Sequence, residues 1–347
     1  MKFTHHQLTE ICVNALVALR VPELDAAIVA KHLVEAELCG YASHGIIRLP
    51  IFIDGLIDGS ITSIASLKTL RESSAALQID CQNSLGPVAV EKIVALSEER
   101  AEKQGICCVS TTNLSYISRL GGYIESSGKK GFVILLFVND AGGYPTVFPQ
   151  GGVAPFFSTN PLAVSVPRAD GRPPILIDFS TGVFSRGRLR IMANKGEMLP
   201  EGVLIGASGE SILDPNRLFS DTAISMAPFG GPISSYKGFG LNLLVDILAG
   251  ALGGAGCSTG RFKNSNRNGL TCITLSPHFF TSLPEFIDRV ESLLQAVKAS
   301  TRAKGVSEIF IPGERLAMRR EHALVKGIEV DDVTWDGIRR KLHDVKV

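Results

Sequence analysis

The sequence lacks the short motifs by which nucleotide, metal and acyl-transfer sites are usually located. No G-x-G-x-x-G follows a strand pattern and no G-x-x-x-x-G-K-[ST] is present, so neither common phosphate-cradling turn is available. No G-x-S-x-G elbow occurs, and the histidines (His5, His6, His32, His44, His278, His322, His343) lack zinc-type spacing. An excess of charge of one sign is missing too: 35 Lys+Arg face 34 Asp+Glu, a net charge of +1. That balance excludes nucleic acid as a partner on electrostatic grounds. No clean apolar run reaches the roughly 20 residues of a membrane span. The nearest, Gly238–Gly254, carries Asp246 and five glycines and reads as a buried helix. The opening MKFTHHQLTE has no apolar signal region, so a cytoplasmic location is expected. The cysteines, seven in number with no C-x-x-C, are expected to be reduced, with Cys107 and Cys108 in the core.

What is present is length and glycine. With 347 residues the chain has room for two or three structural units. Its 35 glycines cluster between Gly121 and Gly260, where loops should expose backbone. Residues 4–40 read as two helices, the first capped by Thr4 with Leu8, Ile11, Ala15 and Leu16 on one face, and a further helix is expected across SHGIIRLPIFIDGLIDG. Ala75–Asp80, Pro87–Gln104 and Gly105–Thr111 read as strand, helix and strand, a βαβ-like alternation. Phe132–Val138, Leu162–Val166, Ile175–Phe179 and Leu270–Leu275 are further strands, Asn264–Asn268 a polar loop, and Leu283–Lys304 a helix. A last helix starts near Asp331 or Asp332.

Four constellations can carry chemistry. In Ser43-His44-Gly45-Ile46-Ile47-Arg48, a helix would put His44 and Arg48 on one face, a proton donor beside a carboxylate-gripping fork; a capped turn with a surface His and Arg is the plain alternative. Ser158-Thr159-Asn160-Pro161, after Asp140-Ala141-Gly142-Gly143 and Gly151-Gly152, suits close approach of a ligand to backbone N–H groups, or is an ordinary surface loop. Asp178-Phe179-Ser180-Thr181 ends a strand, with Arg186 and Arg188 close behind to receive phosphates, or forms a solvated turn. Lys237 opens the apolar helix, where the dipole disfavours a cation unless an anionic ligand compensates; a snorkelling surface lysine is the other reading.

Taken in order, SHGIIRLP, RLGGY, FPQGG, STNPLA, IDFSTG, SYKGFGLNLLVDILAGALGG and IPGE resemble the malate/L-lactate dehydrogenase family that is distinct from the Rossmann dehydrogenases. The family includes sulfolactate and ureidoglycolate dehydrogenases, diketogulonate reductase and cyclic-imine carboxylate reductases. The resemblance spans residues 30 to 335. It implies a homodimer with a non-Rossmann, mixed-sheet α/β cofactor domain and a helical domain built from both chain ends. The implied units are 1–70 with 300–347 (helical), 71–120 with 255–299 (substrate side) and 121–254 (cofactor-binding). By the same resemblance His44 is the family's SHG histidine and Arg48 its carboxylate anchor. Ser158, Thr159, Asn160, Asp178, Phe179, Ser180, Thr181, Arg186, Arg188, Lys237, Gly313 and Glu314 fall on cofactor-binding positions.

Two motifs depart from the family pattern. Where S-H-x-G-R-x-G carries a histidine acid/base, this chain has Ser115-Tyr116-Ile117-Ser118-Arg119-Leu120-Gly121. Where G-W-x-x-D stands, it has Gly202-Val203-Leu204-Ile205-Gly206. Tyr116 then shares proton donation with His44, or only fills space. A neutral phenol is a poor base near neutral pH, so reduction is the expected direction. The expected activity is NAD(P)H-dependent reduction of the carbon beside a carboxylate, in a small 2-oxo acid or a cyclic ketimine acid. Arg186, Arg188 and Arg190 incline the expectation toward NADPH. The other reading is a degenerate, non-catalytic member that binds a nucleotide or metabolite.

Overall fold

The structure, a computed structural model, describes residues 1–259 and 268–345. The polar loop expected at Asn264–Asn268 lies outside the described residues as far as 267, and Asn268 itself opens a strand. The chain begins with β1 (Lys2–Phe3), α1 (His5–Ala18), α2 (Glu23–Leu38), α3 (Leu49–Ile57), β2 (Lys68–Glu72), β3 (Ala76–Asp80), α4 (Gly86–Gln104) and β4 (Ile106–Thr112). Then come α5 (Gly121–Lys129), β5 (Val133–Asp140), β6 (Leu162–Val166), β7 (Ile175–Phe179), α6 (Arg186–Asn194), β8 (Leu204–Ile205), β9 (Ser211–Ile212), α7 (Arg217–Ser220) and β10 (Ser225–Met226). It closes with α8 (Gly231–Asp246), β11 (Asn268–Leu275), α9 (Leu283–Ala299), α10 (Glu314–Lys326), β12 (Ile328–Glu329) and α11 (Asp332–Asp344).

Local chemistry sets the helical end of the molecule. Thr4 and Gln7 form a capping box at α1, which buries Leu8, Cys12, Ala15 and Leu16. β1 pairs with β12, and Asp331 caps α11 by accepting the Thr334 N–H, so the two chain ends close on one core with α2 and α3. The single helix expected from residue 43 does not form. Two 3-10 turns, Ala42–His44 and Ile46–Arg48, precede α3, with Gly45 between them in a non-helical conformation. The Glu37 carboxylate takes the Ile46 N–H at 2.9 Å, and any Cβ at Gly45 would strike that carboxylate. Tertiary hydrogen bonding here outweighs helical propensity.

The mixed sheet has the order β2-β3-β4-β11-β5-β6-β7. β3 and β4 are parallel through the α4 crossover, while β11 runs antiparallel between β4 and β5. β6 and β7 have the expected limits. The sheet runs unbroken across the domain boundary expected at 120/121, and its core takes in Val138, Ala163 and Leu176 together with Leu77 and Cys272. A third, smaller core around Val147, Leu189, Leu204 and Met226 lies under α6 and the β8–β10 ribbon. The apolar helix differs from its expectation. α8 and the π-turn Ile247–Ala251 bury only a stripe through Gly238, Asn242, Val245, Asp246 and Ala249. Leu243, Leu244 and Ile247 stay 42%, 46% and 49% exposed, because nothing among the described residues covers that face.

Candidate active site

The 3-10 turns aim Arg48 and His44 in related directions. Arg48 Nε donates to the Ser43 carbonyl at 2.7 Å, which fixes the stem and leaves both terminal nitrogens of the fork without an acceptor among the described residues. The guanidinium carbon sits 5.6 Å from the centre of the Tyr116 ring. Ser43 Oγ is 2.9 Å from His44 Nδ1, and the His44 Nε2 has no hydrogen-bond partner among the described residues. Burial, then the charges of Arg48 and Arg119, push the His44 ring down to about 3, so it is neutral at neutral pH. The Tyr116 hydroxyl is buried with no partner among the described residues, and burial raises its pKa against the opposing pull of Arg48.

Two adjoining cavities open beside this cluster. The first, of about 320 Å³, is walled by Ser43, Arg48, Arg186, Arg190, Phe219 and Asp331 among others. The second, of about 670 Å³, is lined by Asp140, Tyr144, Ser158, Arg186 and Phe219 among others. His44 and Tyr116 stand behind Arg48 and line neither. The α6 helix reaches Arg48 because Gly187 lies flush on Ser43; a Cβ there would collide with the serine side chain. Asp140, which sequence reasoning did not select, is pushed up to about 6 by burial, with the Gly143 and Gly142 N–H groups and the Arg186 charge opposing. Its signal was the D-A-G-G turn.

The polar loop is braced rather than open. Asn160 is fully buried at φ 23°; its Nδ2 donates to Asn242 at 2.8 Å and to Asp246 at 3.3 Å. Asn242 in turn donates to the Ser158 carbonyl at 3.0 Å, and Asp246 accepts from Asn139 and Ser258 at 3.0 Å each. Thr181 donates to the Thr159 and Asn160 carbonyls, both at 3.0 Å. Ser180 donates to two nearby carbonyls, and the Phe179 ring lies 5.6 Å from that of Phe229. These side chains shape the loop; their backbone faces the second cavity at Ser158.

Asp178 lies elsewhere, at the start of α5. It accepts the Gly121 N–H at 2.8 Å and sits 3.9 Å from Arg119 Nη1. Burial raises its pKa, with Arg119 and the Gly121 N–H opposing. Arg119 is itself buried, its guanidinium carbon 5.5 Å from the centre of the Tyr41 ring, with Nε and Nη1 lacking an acceptor among the described residues. A Cβ on Gly121 would meet Arg119 and Asp178, and one on Gly122 would meet His32. Orphaned N–H groups beside a backbone that admits no side chain fit the anionic portion of a dinucleotide. Arg119 was visible only as part of RLGGY. Gly313 packs on Pro174 and Leu176 near Asp178, whereas Glu314 is committed to Arg168 at 3.1 Å, Lys298 at 2.8 Å and the Ile311 N–H at 3.0 Å. Lys237 is exposed in the turn of α8 after Ser234, where the helix loses regular dihedrals, and it lines neither cavity. Arg188 points to solvent from the outer side of α6.

Among the described residues no group of His, Cys, Asp and Glu could hold a metal ion, and no helix is long and apolar enough to cross a membrane. Residues 3–339 match the family described as malate/L-lactate dehydrogenase. Over 93% of this chain and 89% of its own length, a malate dehydrogenase of Pyrococcus abyssi is 33% identical. An L-lactate dehydrogenase of Cupriavidus necator is 30% identical over 100% of this chain and 99% of its own. The solved sulfolactate dehydrogenase of Methanocaldococcus jannaschii superposes with a TM-score of 0.89 at 29% identity, covering 100% of this chain and 98% of that one.

Proposed function

Because this chain belongs to the malate/L-lactate dehydrogenase family and is therefore an oxidoreductase, we propose that it works as an NAD(P)H-dependent reductase of the carbon beside a carboxylate. The substrate is a small 2-oxo acid or cyclic ketimine acid. The observation that carries this reading is the fork of Arg48 on the wall of a cavity of about 320 Å³, with His44 and Tyr116 just behind it.

Arg48 would take the substrate carboxylate in two parallel hydrogen bonds and so fix the neighbouring unsaturated carbon. His44 is held neutral partly by the Arg48 charge, so a carboxylate on Arg48 raises its proton affinity and prepares it to receive and give a proton. Tyr116, with an unpaired buried hydroxyl outside both cavities, would donate to the oxygen or nitrogen that becomes negative in reduction once a substrate draws Arg48 off its ring. When bound, a reduced nicotinamide cofactor would supply the hydride. Arg119, Gly121–Gly122 and Asp178, with the Ser158–Thr159 backbone, are the residues that would hold that cofactor.

Of the arginines that favour NADPH, Arg186 and Arg190 share the Arg48 cavity, so the preference for NADPH over NADH rests on Arg188. The exposed apolar face of α8 at Leu243, Leu244 and Ile247 supports a homodimer, and the free cysteines support a reducing, cytoplasmic setting. Oxidation of NADH and NADPH against a panel of 2-oxo acids and cyclic ketimine carboxylates, in wild type and Arg48→Ala, tests the reading. Turnover lost with Arg48 supports it. Cofactor binding with no substrate-dependent oxidation across the panel would instead mark a non-catalytic member.

A further inference from the structure

Reduction of the carbon beside a carboxylate consumes a proton as well as a hydride, and the two groups behind Arg48 do not release one readily at neutral pH. His44, pushed down to about 3, is an uncharged ring that would be left as an imidazolate. Tyr116 would be left as a phenolate in a buried place that disfavours it. Both stand outside the two cavities. A third group has to bring the proton in.

Asp140 has the position for this. It ends β5, half-buried on the wall of the 670 Å³ cavity with Tyr144, Ser158 and Arg186. Arg186 also walls the cavity of Arg48, so the two spaces meet at that side chain. The Asp140 charge reaches the Tyr116 hydroxyl, and the Tyr116 ring lies 5.6 Å from the Arg48 guanidinium carbon. Carboxyl, phenol and guanidinium thus surround one junction. The backbone fixes the acid there: its N–H donates to Asn160 Oδ1 at 3.3 Å, and Gly143 lies so close that a Cβ would strike the carboxyl.

The groups around Asp140 leave its proton exchangeable. Among the described residues no cation forms a salt bridge with it. Arg186 of α6 is stacked on Tyr144 at 5.3 Å, and Asp221, after α7, is taken by Arg217 at 3.0 Å. Asp246 of α8 lies across the Asn160 amide, whose Nδ2 it accepts at 3.3 Å. Burial outweighs the Gly143 and Gly142 N–H groups and the Arg186 charge, and holds the carboxyl at about 6. An acid poised near the working pH both gives and recovers a proton. Glu37, at about 7, is the other such acid on a cavity wall, but its carboxylate is engaged by the Ile46 N–H at 2.9 Å and packed on Gly45.

We propose that Asp140 is the catalytic acid of the reduction. This rests on the reductase reading of the Arg48 cavity. As hydride adds to the carbon beside the carboxylate, the π pair of its C=O or unprotonated C=N bond moves onto the oxygen or nitrogen. That pair takes the proton of Asp140, whose O–H bond breaks, and the carboxylate left behind regains a proton from solvent. Tyr116 holds the same atom by a hydrogen bond without ionising. The products are the hydroxy or amino acid and the oxidised cofactor.

The test follows kcat/KM for reduction against pH in wild type, Asp140→Asn and Asp140→Glu, with oxaloacetate or pyruvate, whichever wild type turns over faster. Wild type should lose about tenfold per pH unit above about 6. Asp140→Asn should be about 100-fold slower below that pH and lose the limb, with cofactor affinity by calorimetry within about threefold of wild type. Asp140→Glu, which keeps a titrating carboxyl, should recover the limb. An Asp140→Asn protein with the wild-type rate, or with the limb intact, overturns the proposal, as does a loss confined to cofactor affinity. Difference infrared spectra of the unliganded protein between about pH 5 and about pH 8 read the carboxyl without turnover. A protonated-carboxyl band present in wild type at the lower pH, lost at the higher and missing from Asp140→Asn supports the acid; an Asp140 ionised throughout overturns it. No substrate-dependent oxidation by wild type at any pH, across these acids and the cyclic ketimines, sinks the reductase reading and the acid with it.

Discussion

The guanidinium of Arg48 lies over the ring of Tyr116, 5.6 Å from its centre, while its Nε is held by the Ser43 carbonyl at 2.7 Å. The stem is thereby fixed from behind and the planar fork is left to a ligand. A lysine has neither the plane to stack nor two parallel donors. Arg48→Lys should lower kcat/KM for the preferred acid by about 100-fold while cofactor binding by calorimetry is retained. A loss of under threefold would show that charge alone, not the fork, is used.

Tyr116 makes stability and rate diverge. Its hydroxyl is buried without a partner, which costs the folded state about 1 kcal/mol or more. Tyr116→Phe should raise the melting temperature and slow reduction about 10- to 100-fold. A rise in stability with unchanged kcat would reduce the phenol to packing.

Two buried groups bracket neutral pH from opposite sides. His44 is pushed down to about 3, so the unfolded chain takes up a proton from near 6.5 downward that the folded ring refuses. Its contribution to stability is complete above 6.5 and is lost as the pH falls toward 3. Glu37 is pushed up to about 7 from an ordinary 4.5, mainly by burial, so its contribution is complete below 4.5 and is lost as the pH rises through 7. Glu37→Gln keeps the acceptor for the Ile46 N–H and removes the second effect. Denaturant melts should therefore show it gaining on wild type between pH 4.5 and 7 and holding that lead above. A constant difference across the range would mean that Glu37 does not titrate there.

Gly187 is where α6 rests on the Ser43 turn, and a methyl group would land on Ser43. Gly187→Ala should displace α6 and separate Arg186 from Arg48. Acid turnover should fall at least tenfold, with a stability loss on the order of 1–3 kcal/mol by overpacking. Full activity in the variant would mean that the two elements need not touch.

Much of this was legible because local pattern and final packing agree. Thr4 with Leu8, Ala15 and Leu16 announced α1, and β6 and β7 are apolar runs bounded by turn residues. The turns around His44 were not legible, since the Glu37 carboxylate that breaks the helix at Gly45 comes from another element. α5 and α6 escaped notice for a related reason: Gly121-Gly122 and Arg186-Gly187-Arg188 are poor helical sequences, held by Asp178 and the Ser185 cap. In the site, His44, Arg48 and Tyr116 were readable as residue types. The gathering of Arg186 and Arg190 on Arg48 was not, because it depends on a helix that the periodicity hides. Asn160 was expected at the cofactor; that its side chain braces the loop was not legible, and only the lone acid in the apolar helix, Asp246, hinted at what it braces against.

The place of β11 between β4 and β5 has a consequence during synthesis. Before residue 268 leaves the ribosome, β2-β3-β4 and β5-β6-β7 are two ribbons, each presenting unsatisfied amide edges, and no earlier segment of the chain fills the gap. Closure waits for a partner more than a hundred residues downstream, so the nascent protein passes through a prolonged stage in which foreign strands can dock where its own has yet to arrive.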